Sequence, residues 1–235
     1  MVPLLSRALR FAALLWLTPA AAGAAPAQHC TAPVDVAQAP LAARYRVTFA
    51  APGAQPQQQL WTFVRDANQV ALLKGRSEDI WLRAPNGTVA MQRVFHDDQR
   101  VVDYASGELR TLGVDVDWRS LSGFVDPREL ALLRPAGRAR CSGSVGGGTV
   151  NVEWQPRQPL PARLTRTAAN GAKLSFELLT WHAQRPADWP APGAGAADYL
   201  HLDAADFGDM AYDPVVRKAE AMDIRAGWRV PHGHE

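Results

Sequence analysis

Residues 149–182, TVNVEWQPRQPLPARLTRTAANGAKLSFELLTWH, hold three alternating segments and the breaks that separate them. Val150, Val152 and Trp154 interleave with Asn151, Glu153 and Gln155, the period of two that gives a strand one buried face. After a Pro-rich break, Ala162, Leu164 and Arg166 alternate with Arg163, Thr165 and Thr167. Asn170-Gly171 then supplies residues that accept positive φ, as a hairpin turn requires, and Ala172, Leu174, Phe176 and Leu178 form a third apolar face. The segment predicts three successive antiparallel strands.

The same alternation runs through the N-terminal half. Tyr45, Val47 and Phe49 share one face of a strand over 43–49, and further strands are predicted at 60–65, 69–74, 79–83, 88–95 and 100–104. Tight connections join them, including a second Asn-Gly turn at Asn86-Gly87, so up to six strands form a meander. A helical interlude follows. Trp118, Leu121 and Phe124 have helical spacing, and Asp126-Pro127 with Glu129 reads as an N-cap, a first-turn proline and a capping-box acid. Residues 138–145 make a seventh strand containing Cys141, and Gly146-Gly147-Gly148 reads as a turn; it lacks the Lys-Ser/Thr partner of a phosphate loop.

The tail differs in composition. Residues 186–197 are rich in Pro, Gly and Ala and read as a linker or as an extended wrap over the surface. A short strand at 199–202 and a helix opened by Asp213-Pro214 and stopped at Gly227 complete the chain. The tail also carries Trp189, Tyr199, Phe207, Met222 and Trp228, which a disordered segment would not need, so it is expected to pack back on the sheet. The expected fold is mainly β: a curved antiparallel sheet, a half-barrel meander, with a short helical insertion and a C-terminal helix. The expected organisation is a signal peptide over 1–24, the half-barrel domain over 25–185, and the linker and helical tail over 186–235.

The leader expectation rests on Arg7 and Arg10 before the apolar run from Phe11 to Leu17, followed by small residues at Ala22-Gly23-Ala24. The uncharged run is short for a membrane span, and His29 before Cys30 does not suit a lipidation site. Cleavage would remove two arginines and leave basic and acidic residues equal at 23, so composition shows no nucleic-acid surface. The two cysteines, Cys30 and Cys141, read as one disulfide of an exported, periplasmic protein, with paired soft metal ligands as the alternative.

The order of elements, together with Trp154 and the Leu160-Pro161-Ala162-Arg163-Leu164 corner before an alternating hairpin, resembles periplasmic lipoprotein carriers of the LolA/LolB type, a fold shared with RseB-like stress sensors. The resemblance covers roughly residues 43–182 and implies a curved half-barrel with an apolar concave face. This chain differs in lacking an evident N-terminal helix and in adding the tail after Pro186, and no site residue transfers one for one.

Three classes of function follow. The first is non-enzymatic binding of an apolar ligand, an acyl chain, lipid or lipidated peptide, on the concave face. Trp61, Trp81, Phe95, Trp154 and Phe176 are candidate lining residues, each of which also suits simple core packing. The second is copper-type metal binding through the tail histidines His232 and His234, although the chain lacks clustered ligand spacing and an EF-hand loop. The third is an enzyme, for which no nucleophile elbow, zinc-helix motif or spaced Cys/His pair is present. No cofactor is implied. An apolar small molecule or lipid is the expected partner, and an accessory role at a membrane-associated complex stays open.

Overall fold

The computed structural model describes residues 30, 40–115, 117–137, 139–155 and 160–229 of the chain. The leader and the His232/His234 tail expected above lie outside these residues. Strands β1 (Leu41–Ala50), β2 (Gln57–Arg65), β3 (Gln69–Leu73), β4 (Ser77–Arg83), β5 (Val89–Phe95) and β6 (Arg100–Tyr104) are successive antiparallel neighbours. Helices α1 (Ser106–Thr111), α2 (Trp118–Gly123) and α3 (Pro127–Leu132) interrupt the run. A second antiparallel run then comprises β7 (Arg134–Pro135), β8 (Arg140–Val145), β9 (Gly148–Glu153), β10 (Arg163–Thr167) and β11 (Lys173–His182).

Pairing of β1 along β11, from Ala42 opposite His182 to Ala50 opposite Lys173, fuses the two runs into one open, curved sheet of twelve strands. β12 (Leu200–Asp203) adds to the β6 edge, and this pair is parallel, unlike the other strand pairs described. Residues 183–199 carry the chain from β11 to this far edge of the sheet.

Alternation sorts the side chains into two faces. Tyr45 lies opposite Trp61, Val47 opposite Phe176 and Trp81 opposite Met91, all buried on an inner face with α2, α3 and the C-terminal helix. Ala71, Leu73, Ile80, Val94 and Val101 form a smaller cluster on the outer face, with Ala196 and Tyr199 packed against it. The inner face has an aromatic centre. Phe124, which ends α2 with φ 68°, stacks on Tyr45 at 4.8 Å and meets Phe63 and Phe176 edge-on at 5.5 and 5.0 Å. The Tyr45 hydroxyl donates to the Pro161 carbonyl at 2.9 Å, which fixes the Leu-Pro corner to β1. Arg65, on the same face, donates to the Ser122 carbonyl of α2, and burial lowers its pKa to about 10.

Both Asn-Gly turns have the expected geometry. Gly87 and Gly171 sit at φ 84° and 83°, and the side chains of Asn86 and Asn170 accept from the amides two residues on. The glycine triplet differs from its reading as a turn. Gly146 and Gly147 turn the chain at positive φ, but Gly148 begins β9, and a Cβ there would meet the Thr167 carbonyl oxygen at 2.3 Å. Glycine is needed at that position for close strand approach.

Residues 183–199 cross the outer face as a strap. Trp189 is buried beneath the Arg44 guanidinium, 4.1 Å from its ring centroid, and meets His182 edge-on. The Gly193 amide donates to Glu78 at 2.7 Å, whose other oxygen contacts His96 at 2.8 Å, and His96 in turn contacts the Tyr199 hydroxyl at 3.2 Å. Cys30 is bonded to Cys141 of β8, with 6.0 Å between Cα atoms. Among the described residues no helix is long and apolar enough to cross a membrane.

Candidate functional site

The site is built around α4 (Pro214–Ala226), the helix that closes the inner face. Asp213 caps it, accepting from the Val215 and Val216 amides, Pro214 occupies its first turn, and Gly227 ends it at φ 78°. One stripe of the helix, Val215, Val216, Ala219 and Asp223, is buried. An aspartate in that stripe needs a cation, and the sheet provides one.

Arg93, on the inner face of β5 and 2% exposed, donates Nε to Asp79 at 2.8 Å and a terminal nitrogen to Asp223 at 2.7 Å. The same terminal nitrogen reaches the Ala219 carbonyl at 3.3 Å. The Tyr104 hydroxyl lies 3.2 Å from both Asp223 oxygens, Arg229 donates to Asp223 at 3.1 Å, and Lys74 pairs with Asp79. Burial alone would raise the Asp79 carboxyl, but Lys74 and Arg93 beside it overcome that and hold it down at about 2. Burial is also the main reason the Tyr104 hydroxyl is pushed up, so it stays a protonated donor to Asp223. The network is closed and lined by Trp228 on one side, with the Arg93 guanidinium 5.4 Å from that ring. Its physical effect is to lock α4 onto the sheet across 130 residues of sequence.

The opposite, exposed stripe of α4 borders an open groove of 890 Å³. Pro214, Arg217, Lys218, Ala221, Met222 and Arg225 form one wall, and the β3–β4 turn, the β5–β6 turn and the start of β2 form the others. Leu60, Phe95, Ala221 and Met222 are its apolar lining, Leu60 and Ala221 exposed to solvent, while Lys74, Arg76, Arg217, Lys218 and Arg225 outnumber Asp97 and Asp98 among its charged residues. Arg76 pairs with Asp97, and Lys218 donates to Asp98 at 2.6 Å. A second cavity, 590 Å³, opens under the β8–β9 and β10–β11 turns and is lined by Phe49, Val145, Val150 and Leu174, with Arg166 held bidentately by Glu129 of α3. Phe49 packs on Trp61 at 5.8 Å, and the Lys74 ammonium lies 5.1 Å over the other flank of the site at the Trp61 ring.

All five candidate lining aromatics lie on or beside the inner face and are buried in one core. Phe95 lines the larger cavity. Trp61 packs between Phe49 and Phe176, Trp81 meets Trp228 at 5.9 Å, and Trp154 lies in the core near the β9 end. The residues missed from sequence are Arg217, Ala221 and Arg225 of α4 and the anchoring pair Arg93 and Asp223; Met222 is legible as part of the apolar face of the helix but not as a groove residue. The i, i+3, i+4, i+7 spacing of the α4 stripe was legible, but nothing local says which surface it meets. Among the described residues no three His, Cys, Asp or Glu side chains converge as a metal site, and His232 and His234 lie outside those residues.

No family model matches the sequence, and no curated protein matches it. Among solved structures the chain is similar to PNGF-II in two crystal forms, at 13% and 11% identity with TM-scores of 0.40 and 0.39 over 74% of this chain. The chain spans 33% of the length of PNGF-II. It is also similar to a LolA superfamily protein from Nitrosomonas europaea, at 15% identity and a TM-score of 0.28, over 65% of this chain and 88% of that one. The last is a weak fold resemblance and assigns no function.

Proposed function

We propose that the protein is an exported, non-enzymatic binding protein that holds an apolar ligand, an acyl chain, lipid or lipidated peptide, at the rim of its curved sheet, in the groove between α4 and the β3–β4 and β5–β6 turns. The observation that carries this reading is the 890 Å³ groove lined by Leu60, Phe95, Ala221 and Met222, a volume in the range that small-molecule sites occupy. The charged network beneath α4 supports it, because a wall fixed by Arg93 and Asp223 keeps the cavity open without a ligand. Export is supported by the leader composition and by the Cys30–Cys141 bond, since disulfides persist in oxidising compartments.

Titration of the purified chain with a fluorescent acyl probe tests this. Ala221 is exposed on the cavity wall, so Ala221→Trp fills the space without touching the core. Saturable binding that weakens by about tenfold or more in this variant, at unchanged melting temperature, is expected from the loss of apolar contact area. Absence of binding, or equal binding by the variant, contradicts the proposal.

A further inference from the structure

We infer that the ligand of the α4 groove is an anionic amphiphile, whose phosphate or carboxylate head is held at one end of the groove by Arg217 or Arg225 while its apolar body lies on Leu60, Phe95 and Met222. The inference rests on the binding reading above and adds the head-group chemistry.

The charges of α4 are sorted by face. Arg217, Lys218 and Arg225 all line the cavity, whereas Glu220 is not among the lining residues and Asp223 is buried against the sheet. The nearby acids are already engaged: Asp97 pairs with Arg76, and Asp98 with Lys218. Lys74 is bound to buried Asp79. Arg217 and Arg225 stand apart. Each donates Nε to a main-chain oxygen, of Ala211 and Ala221 respectively, at 3.1 Å, and among the described residues neither has a carboxylate partner.

Helix stability accounts for only part of this arrangement. The N-terminal end of α4 has its negative charge in the Asp213 cap, but no acid follows in the first turn and Arg217 and Lys218 come directly after it. Arg225 near the C-terminus agrees with the dipole, but Arg217 runs against it. The two guanidiniums are eight residues apart, about 12 Å along the axis, with Ala221 and Met222 between them. A planar guanidinium presents a fork of donors that matches phosphate or carboxylate oxygens, and here both forks flank an apolar surface. An uncharged ligand would leave that complementarity unused, and a cationic one would be repelled.

The test compares dodecyl phosphate with an uncharged dodecyl glycol ether and dodecyltrimethylammonium, with inorganic phosphate as the head group alone, using the full chain at low salt. The expected result is about tenfold tighter binding of dodecyl phosphate than of the glycol ether, because charge-assisted hydrogen bonds are added to the same apolar contact. The preference should shrink as salt screens the exposed arginines. The double variant Arg217→Gln/Arg225→Gln should abolish the preference, and an unchanged thermal unfolding midpoint shows that the variant is folded. Equal affinity of the wild type for the phosphate and the ether, or a preference that survives the double substitution, overturns the inference while leaving apolar binding intact. Failure of every dodecyl ligand to bind instead overturns the binding reading on which it rests. Co-sedimentation with phosphatidylglycerol but not phosphatidylcholine vesicles identifies the source of the head group as a membrane lipid, and co-sedimentation with neither, beside tight dodecyl phosphate binding, identifies a free amphiphile.

Discussion

Replacing Arg93 by methionine removes the cation on which the inner face and α4 converge. Its side chain is 2% exposed and makes charged hydrogen bonds of 2.8 Å to Asp79 and 2.7 Å to Asp223. Asp79 keeps Lys74, and Asp223 keeps Arg229 and Tyr104, so neither carboxylate is wholly abandoned. Each lost bond to a charged group is worth about 1.5–3 kcal/mol, and breaking a buried pair costs about 3–5 kcal/mol, so the variant should lose stability in that upper range. At about 2–4 °C per kcal/mol for a chain of this size, the midpoint of thermal unfolding followed by circular dichroism should fall by about 6–20 °C. The loss should also be local. Amide exchange over 214–226 should accelerate before that of β2 and β11, because the missing contact joins α4 to the sheet. Arg93→Lys should recover only part of the stability, since an ammonium cannot present the same fork to two carboxylates. A midpoint within about 2 °C of the wild type, where a change of this size is expected from a broken buried pair, together with unchanged exchange in α4, would refute the reasoning.

Stability should also depend on pH through Asp79. Its folded pKa, about 2, lies below the unfolded value, so the stabilisation of about 2 kcal/mol is complete above about pH 4 and is lost as pH falls towards 2; Asp79→Asn should flatten that acid limb in urea titrations. Gly148→Ala should destabilise more than Gly87→Ala, because a Cβ at 148 meets the Thr167 carbonyl oxygen at 2.3 Å whereas position 87 has open space and only its positive φ to resist; equal melting of the two would remove the close-approach argument. Reduction of Cys30–Cys141, which spans 111 residues, should lower the unfolding free energy by about 4–5 kcal/mol in the chain-entropy model, and an unchanged denaturant midpoint after complete reduction would exclude that contribution.

The sheet was largely written in alternation. Residues 149–182 contain β9, β10 and β11, and the Asn-Gly turns and Asp-Pro helix starts each have the local hydrogen bonds their side chains suggest. α1 escaped notice because its six residues bury only Leu109 and its N-cap, Ala105, offers no side-chain bond. Gly148 escaped because a glycine at a turn and a glycine under a neighbouring strand look alike in one dimension. The cavity was the least legible feature. Phe95 is the one anticipated aromatic that lines it, while its α4 wall is positioned by Arg93, a charged residue between Met91 and Phe95 on one strand face, whose buried partner lies 130 residues away. Local pattern carries no information about a contact of that range.

The central claim, that an apolar ligand occupies the groove beside α4, is tested most directly by photolabelling the chain with a diazirine-bearing fatty acyl probe and mapping the modified peptides. The account predicts labels on the segments containing Leu60, Phe95 and Ala221-Met222, and their loss in Ala221→Trp. Labels confined to other surfaces, or a pattern that Ala221→Trp leaves unchanged, would contradict it.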